Sequence, residues 1–317
     1  RFIDAISEAI EISMKNHPNL VLMGQDIAEY GGAFKITEGF VEKFGKKRVR
    51  NTPLCEAAIV GSGLGLSING YKSMVEMQFA DFVTEGFNQI INNLAKTHYR
   101  WNQNADVVVR MPTGAGTGAG PFHSQSNEAW FTKTPGLKIA YPAFPDDAKG
   151  LLIQSFEDPN PVLFFEHKKL YRSLKGNVPE GFYTTPFGKA RKVKEGNELT
   201  IITYGLGVHI ALEFAEKNPE ISLEIVDLRT LIPLDTETIY ESVKKCNKVI
   251  ILHEDTLTCG FGAELSALIS EHCFEDLDAP ILRVASMDTP IPFNKKLEDQ
   301  FMPNEELAEA VEKILKY

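Results

Sequence analysis

Two side chains in this sequence have types suited to proton transfer and stand beside stretches that give them a use. Glu56 opens the small, apolar run 56–65, directly after Thr52-Pro53-Leu54-Cys55. The run predicts a buried helix, and a carboxylate in its first turn suits the helix dipole. A carboxylate against an apolar helix is nevertheless expensive without a partner. Two interpretations therefore stand: a helix-start glutamate exposed to water, or a desolvated carboxylate that exchanges a proton with a ligand.

The second side chain is His123, which follows the glycine-rich stretch Thr113 to Gly120. That stretch is not a phosphate-binding P-loop, because no Gly-Lys-Ser/Thr follows it. So much glycine is entropically costly, which favours a mobile or ligand-covering loop. Histidine is the usual proton-transfer group, while an ordinary surface residue is the alternative.

Other polar or aromatic residues are also placed at predicted strand ends. Phe79 and Phe82 follow a predicted strand, at the edge where open parallel sheets place ligands; a core position is the alternative, and for Phe79 we expect it. The segment 253–255, His-Glu-Asp, ends a strand of the second domain and is either functional or a solvated strand end. The turn at 158–161 is ordinary by composition.

Short apolar strands alternate with helices along the whole chain, which predicts an α/β fold with mostly parallel sheets. The pattern lapses into Gly, Pro and Lys at 173–186, which suits a linker. We therefore predict two domains, 1–180 and 187–317. Predicted strands are 20–24, 73–77, 107–109, 137–140, 162–165, 199–203, 223–226, 249–252 and 281–284. Predicted helices are 2–16, 38–44, one from 56, 82–99, 147–156, 208–217, 236–246, 261–272 and 305–315.

Composition limits the partners. The 317 residues carry a net charge of −10, which argues against nucleic acid and against an anionic membrane surface. No apolar stretch approaches the length of a membrane span. Four cysteines without a CxxC pair indicate neither a zinc site nor a disulfide framework, and this usage fits a reducing compartment. We expect a cytoplasmic protein. The chain opens on Arg1, so it is processed, trimmed or a piece of a longer polypeptide.

Taken together, the motifs resemble the beta subunit of the thiamine-diphosphate-dependent decarboxylase component of 2-oxo acid dehydrogenase complexes. The resemblance covers essentially the whole chain and implies a pyrimidine-binding domain followed by a transketolase C-terminal-like domain. The matching blocks are 52–56 (TPLCE), 76–82 (EMQFADF), 122–126 (FHSQS), 148–152 (AKGLL), 164–166 (FFE), 170–172 (LYR), 226–230 (VDLRT) and 288–290 (DTP).

The resemblance also implies roles for individual residues. Glu56 matches the glutamate that hydrogen-bonds the aminopyrimidine ring of the cofactor, where proton exchange activates the cofactor. Phe82 matches the aromatic that packs on that ring, where many relatives carry Tyr, and Leu54 matches a residue whose backbone meets it. His123 matches the histidine implicated in acylation of the lipoyl group. Some relatives have a second histidine where this chain has Gly118.

Metal ions are implied in two places. Relatives hold a structural potassium ion, whose ligands would map to backbone carbonyls near Ala105, Val107 and Val108, with Ser155, Asp158 and Asn160 opposite. The Gly-Asp-Gly motif that binds Mg²⁺ and diphosphate in the family is absent from this sequence. The resemblance therefore implies that an alpha partner supplies that half of the site, in an assembly of two alpha and two beta units. A fused alpha–beta chain is the other arrangement.

The sequence leaves alternatives open for the substrate and for the role of the chain. Blocks around Glu56, Phe79 and His123 look more like branched-chain enzymes, whereas 165–167 and 178–181 look more like some bacterial pyruvate enzymes. We expect a branched-chain 2-oxo acid, with transfer of the acyl group to the lipoyl-lysine of a dihydrolipoamide acyltransferase. A single-chain transketolase-like enzyme would need the missing diphosphate motif. A non-catalytic subunit that docks the acyltransferase is the remaining alternative.

Overall fold

The alternating pattern forms two sheets in the computed structural model, which describes residues 1–317. The first sheet holds six strands from the first part of the chain. They are β1 (Leu20–Gly24), β2 (Val49–Asn51), β3 (Lys72–Glu76), β4 (Val107–Thr113), β5 (Lys138–Ala140) and β6 (Val162–His167). These strands are parallel in the order β5-β6-β4-β3-β1-β2. Most of their residues are buried, as expected for strands covered on both faces.

Six strands lie in the later part of the chain, and five of them form the second sheet. The six are β7 (Arg191–Lys194), β8 (Leu199–Thr203), β9 (Leu223–Asp227), β10 (Thr230–Ile232), β11 (Val249–Thr256) and β12 (Leu282–Ser286). Five of them form the sheet, in the order β12-β11-β8-β9-β7, with β7 antiparallel. The sixth, β10, pairs antiparallel with β5 and closes the edge of the first sheet. The second domain thus contributes a strand to the sheet of the first.

Helices cover both sheets. In the first domain they are α1 (Phe2–Asn16), α2 (Phe40–Phe44), α3 (Glu56–Ile68), α4 (Val83–Asn88), α5 (Ala95–Trp101), α6 (Ala129–Thr132), α7 (Pro145–Glu157) and α8 (Leu170–Ser173). In the second they are α9 (Leu206–Lys217), α10 (Thr236–Cys246), α11 (Phe261–Cys273), α12 (Lys295–Phe301) and α13 (Asn304–Ile314). None of these helices has the length and apolar character that crossing a bilayer requires.

The predicted fold class is confirmed, and every predicted strand and helix is present. The predicted helix 82–99 is divided: α4 and α5 flank a π-helical segment, Gln89–Leu94. The predicted linker, 173–186, has no regular secondary structure after the end of α8. It is nevertheless hydrogen-bonded to α7. The Tyr183 hydroxyl donates to the Asp146 carbonyl at 2.8 Å, and the Thr185 amide donates to the Gly150 carbonyl at 3.1 Å.

A buried ion cluster crosses the middle of the first sheet. Arg110 on β4 is fully buried and pairs with Glu76 on β3 and with Glu166 on β6, at 2.6 Å for the latter. The Tyr171 hydroxyl donates to the second oxygen of Glu166 at 2.6 Å. Such a cluster tolerates burial only because each charge has a partner. It ties together β3, β4 and β6, and the carboxyl ends of β3 and β4 carry part of the site described next.

Candidate active site

Glu56 is the first residue of α3, and its side chain is only 8% exposed. The interpretation as a water-exposed glutamate is therefore wrong. Its one side-chain partner is Gln25, whose Nε2 donates to Oε1 of Glu56 at 2.8 Å. Gln25 is itself buried, and its own amide oxygen has no partner in the protein. The pair thus places the Glu56 carboxylate beside the unpartnered amide oxygen of Gln25. Buried polar groups usually have hydrogen-bond partners, so this pair has the capacity to bind a ligand.

Gln25 belongs to this candidate site but was not among the residues predicted from the sequence. It directly follows β1, whose five residues are all buried. A polar residue at the carboxyl end of a buried parallel strand is a signal for ligand binding. That signal was present in the sequence, although the hydrogen bond to Glu56 was not.

A second group of side chains lies at the carboxyl ends of the neighbouring strands. The ring of His123 packs edge-on against Phe79 and Phe82, with centroids 4.7 and 5.5 Å apart. All three rings are half-buried. His123 is therefore not an isolated surface histidine, and Phe79 is not a core residue as we expected. Phe79 instead forms the wall between the histidine and Phe34, at 5.5 Å.

The fold brings the two groups to one edge. β1, β3 and β4 are neighbours in the sheet, and Gln25, Phe79 and His123 all follow their carboxyl ends. Phe82 leads directly into α4, which packs against the start of α3. A Cβ added to Gly86 on α4 would lie 3.4 Å from the Glu56 carbonyl oxygen. The carboxylate, the aromatic wall and the histidine thus lie along one continuous edge of the first domain.

This edge is bordered by exposed apolar side chains. Leu54 is 80% exposed, and Tyr30 and Phe122 are also exposed. Cys55, between Leu54 and Glu56, is exposed as well. Large apolar groups exposed around a polar site are typical of a surface that another molecule covers. Leu54 therefore lies where a ligand or partner can reach it.

The six residues proposed for a potassium ion lie at the opposite edge of the first sheet. Ala105 precedes β4 and Val107 and Val108 begin it, while the other three lie at the end of α7 and in the turn before β6. The pairing of Val108 with Val162 brings the two segments together. Two of the three polar side chains already have protein partners. Ser155 donates to the Leu151 carbonyl at 2.7 Å, and Asp158 accepts from the Asn160 amide at 3.0 Å and pairs with Lys138. No group of three His, Cys, Asp or Glu side chains with metal-ligand geometry occurs in the structure.

The two domains meet along a line of buried acidic residues. Glu254 on β11 accepts the Ala115 amide at 2.6 Å and pairs with His167 Nε2 at 2.6 Å. Burial opposes its charge, but His167 and the amide outweigh burial and hold the pKa of Glu254 below its usual value. The interpretation of segment 253–255 as a solvated strand end is therefore wrong. Desolvation also lowers the pKa of the buried His253 to about 4.

Comparisons with known proteins agree with this architecture. The transketolase pyrimidine binding domain model matches residues 1–173, and the transketolase C-terminal domain model matches residues 188–307. The 2-oxoisovalerate dehydrogenase subunit beta of Bacillus subtilis is 47% identical over 98% of this chain and 96% of its own length. The pyruvate dehydrogenase E1 component subunit beta of the same organism is 40% identical over 99% of this chain and 98% of its own.

A solved structure adds evidence on the fold alone. The split gene transketolase in its inactive beta4 tetramer superposes with a TM-score of 0.78, covers 99% of this chain and 98% of its own, and is 22% identical. The resemblance drawn from the motifs is thus confirmed by whole-length similarity. The chain belongs to the beta subunits of 2-oxo acid dehydrogenases, which are built from a transketolase-type pyrimidine-binding domain and a transketolase-type C-terminal domain.

Proposed function

We propose that this chain is the pyrimidine-binding half of a shared thiamine diphosphate site that decarboxylates a branched-chain 2-oxo acid. The observation that carries the proposal is the buried Glu56–Gln25 pair, which opens on an exposed apolar edge. The relative at 47% identity is named for 2-oxoisovalerate, which favours a branched-chain acid over pyruvate. An alpha partner, or an alpha half of a fused chain, binds the diphosphate and Mg²⁺ in this proposal.

The residues present fit the aminopyrimidine end of thiamine diphosphate. An amino-substituted ring needs an acceptor, an exchangeable proton and an apolar face. The unpartnered amide oxygen of Gln25 is the acceptor, Glu56 is the proton-exchanging group, and Phe82 is the apolar face. Leu54 is exposed at the same edge, where its backbone would meet the ring in this proposal. Phe82 lacks the hydroxyl that a tyrosine has, so it contributes packing only.

The mechanism assigns each of these side chains one task. Glu56 would hold the aminopyrimidine end of the cofactor through a carboxylate oxygen and would be the group that exchanges a proton there. Gln25 Nε2 orients the carboxylate by donating to Oε1, and Phe82 keeps water away from the exchange. Thiamine diphosphate, when bound, supplies the electron sink that lets carbon dioxide leave the 2-oxo acid.

His123 serves the second half of the reaction in this proposal, the transfer of the acyl group to lipoyl-lysine on the acyltransferase. No protein group bonds to either imidazole nitrogen, so both are free to reach a substrate. In this step the carbon left by decarboxylation would supply an electron pair and bond to one sulfur of the dithiolane, the S–S bond would break, and a ring nitrogen of His123 would give a proton to the other sulfur. The rings of Phe79 and Phe82 limit rotation of the imidazole, which holds the nitrogen in one direction.

Two further proposals concern the setting of the protein. A potassium ion between the start of β4 and the turn before β6 would rely on backbone carbonyls, because Ser155 and Asp158 already have protein partners. A cytoplasmic location is supported by four cysteines that all remain unpaired.

The experiment that tests the proposed function is decarboxylation with a dye acceptor, with thiamine diphosphate and Mg²⁺, with and without the alpha partner. Pyruvate and 3-methyl-2-oxobutanoate are supplied in turn. We expect activity only with the partner and a preference for the branched acid. Glu56→Gln should lower turnover by roughly 10²–10⁴-fold, while Glu264→Gln, an exposed glutamate on α11, should match the wild type.

The alternatives give different results. Turnover by this chain alone would contradict the shared site, and a preference for pyruvate would contradict the branched-chain assignment. Full turnover in Glu56→Gln would show that the chain is a docking subunit without a catalytic carboxylate.

A further inference from the structure

The carboxylate of Glu298 is buried at the domain boundary and bonds only to backbone. It lies on α12 and is 2% exposed. Its Oε1 accepts the Gly116 amide at 2.8 Å, and its two oxygens accept the Gly118 amide at 3.1 and 3.0 Å. Its charge also acts on the buried Lys168, which forms no ion pair with it. A buried carboxylate is costly, so these amides are its compensation.

The loop that Glu298 binds has backbone conformations and close contacts that require glycine. Gly116 and Gly118 have φ of +85° and +71°, a conformation in which successive amides can converge on an anion. A Cβ on Gly114 would lie 2.0 Å from the His167 ring, and one on Gly120 would lie 2.3 Å from the ring of Phe293. Close contacts thus explain Gly114 and Gly120, whereas a Cβ on Gly118 would meet nothing within 4 Å. The loop, which we predicted to be mobile or ligand-covering, is anchored by the second domain.

This anchored loop leads directly to His123. The His123 amide donates to the Gly120 carbonyl at 3.3 Å. On the far side, Asp81 Oδ1 accepts the amide and Nε2 of Gln125 at 3.2 and 2.9 Å. Because no group bonds to the imidazole itself, the direction of its nitrogens depends on this backbone and on the aromatic wall.

We propose that Glu298 is a positioning residue for acyl transfer to the lipoyl group. Its three hydrogen bonds fix the glycine loop, and the fixed loop holds His123 against Phe79 and Phe82 in the direction needed for proton transfer. This inference rests on the proposed function and extends it to the second domain. It assigns to α12 an effect on acyl transfer that decarboxylation does not share.

The test compares Glu298→Ala, Glu298→Gln and the control Asp299→Ala in the complex reconstituted with the alpha partner. Asp299 is the next residue on α12, is exposed and has no side-chain bond. Three quantities are measured: acylation of a free lipoyl domain, dye-linked decarboxylation, and hydrogen exchange of the peptide 114–123. For Glu298→Ala we expect acylation to fall about ten-fold or more while dye-linked turnover changes by less than about two-fold, since small misplacement of a reacting group is costly.

Exchange of the loop amides should quicken in Glu298→Ala and not in Asp299→Ala. Glu298→Gln should be intermediate in both acylation and exchange, because its carboxamide oxygen still accepts from the loop. Equal losses in acylation and decarboxylation, or faster exchange throughout the protein, would show that Glu298 is merely structural. Unchanged acylation in Glu298→Ala would overturn the inference while the wild type still decarboxylates. A wild-type complex without decarboxylation would instead overturn the proposed function, and this role with it.

Discussion

Replacing Glu128, which is buried at the boundary between the two domains, should weaken the pH dependence of the protein's stability. Glu128 lies at the start of α6, is 1% exposed, and accepts the Tyr204 hydroxyl of the second domain at 2.8 Å. Desolvation, chiefly, and the nearby charge of Asp255 raise the pKa of Glu128 to about 8. The same kind of burial raises the pKa of Asp255 to about 7. The two carboxyls therefore favour the protonated state in the folded protein.

The direction of the effect follows from linkage. A carboxyl whose pKa is raised on folding stabilises the protein below its unfolded pKa, and this stability is lost as pH rises through the folded pKa. For Glu128 the loss runs from the ordinary glutamate range up to about 8. Between about pH 6.5 and about pH 8 it amounts to about 1–2 kcal/mol. Asp255 acts in the same direction, and the pair titrates as one unit.

The measurement is thermal unfolding of wild type and Glu128→Gln at these two pH values. A glutamine oxygen can still accept from Tyr204, so the variant removes the titration and keeps the hydrogen bond. Wild type should lose roughly 1.5–3 °C in Tm between about pH 6.5 and about pH 8, and Glu128→Gln should lose clearly less. Glu264→Gln, whose side chain is exposed, should follow wild type. Equal pH slopes in wild type and Glu128→Gln would refute the assignment of this titration to Glu128.

Two further predictions concern stability and are measured by urea unfolding. Arg110→Ala leaves Glu76 and Glu166 buried without their cation, so we expect a loss of about 3–5 kcal/mol; a loss near zero would mean that the two carboxyls are neutral in the native protein. At Gly136 the φ is +98°, and a Cβ would lie 1.9 Å from a backbone carbonyl oxygen of α5. Gly136→Ala should therefore destabilise by about 2–4 kcal/mol, more than Gly45→Ala, which has a similar φ but open space; equal effects would show that the carbonyl moves freely.

The sequence could predict the elements whose signals are local. Runs such as 107–109 and 249–252 are apolar enough to be strands in any context, and the helix from 56 has the small residues of a buried helix. Short elements escaped prediction because their stability comes from pairing. β10 has only three residues and exists because β5 offers it an edge. Nothing in the sequence near β10 indicates that this strand of the second domain pairs with the sheet of the first.

The site shows the same division between local and distant information. Strand ends and loop composition were sufficient to select Glu56, Phe82 and His123. They could not decide whether Glu56 is buried, since Gln25 lies 31 positions away. The partners of the glycine loop are farther still, with Glu254 and Glu298 separated from it by 139 and 182 positions. A carboxylate at a helix surface and one in a buried amide nest look alike in sequence.

The role of the second domain follows from these distant contacts. Glu254 and Glu298 both accept hydrogen bonds from backbone amides of the loop that precedes His123. In addition, β10 pairs with the edge of the first sheet. A domain that served only to dock another protein would need none of these contacts. Because burying two carboxylates is costly, their use on one loop indicates that the position of that loop matters. The second domain therefore forms part of the support for the edge that carries His123, whichever partner also binds to its outer surface.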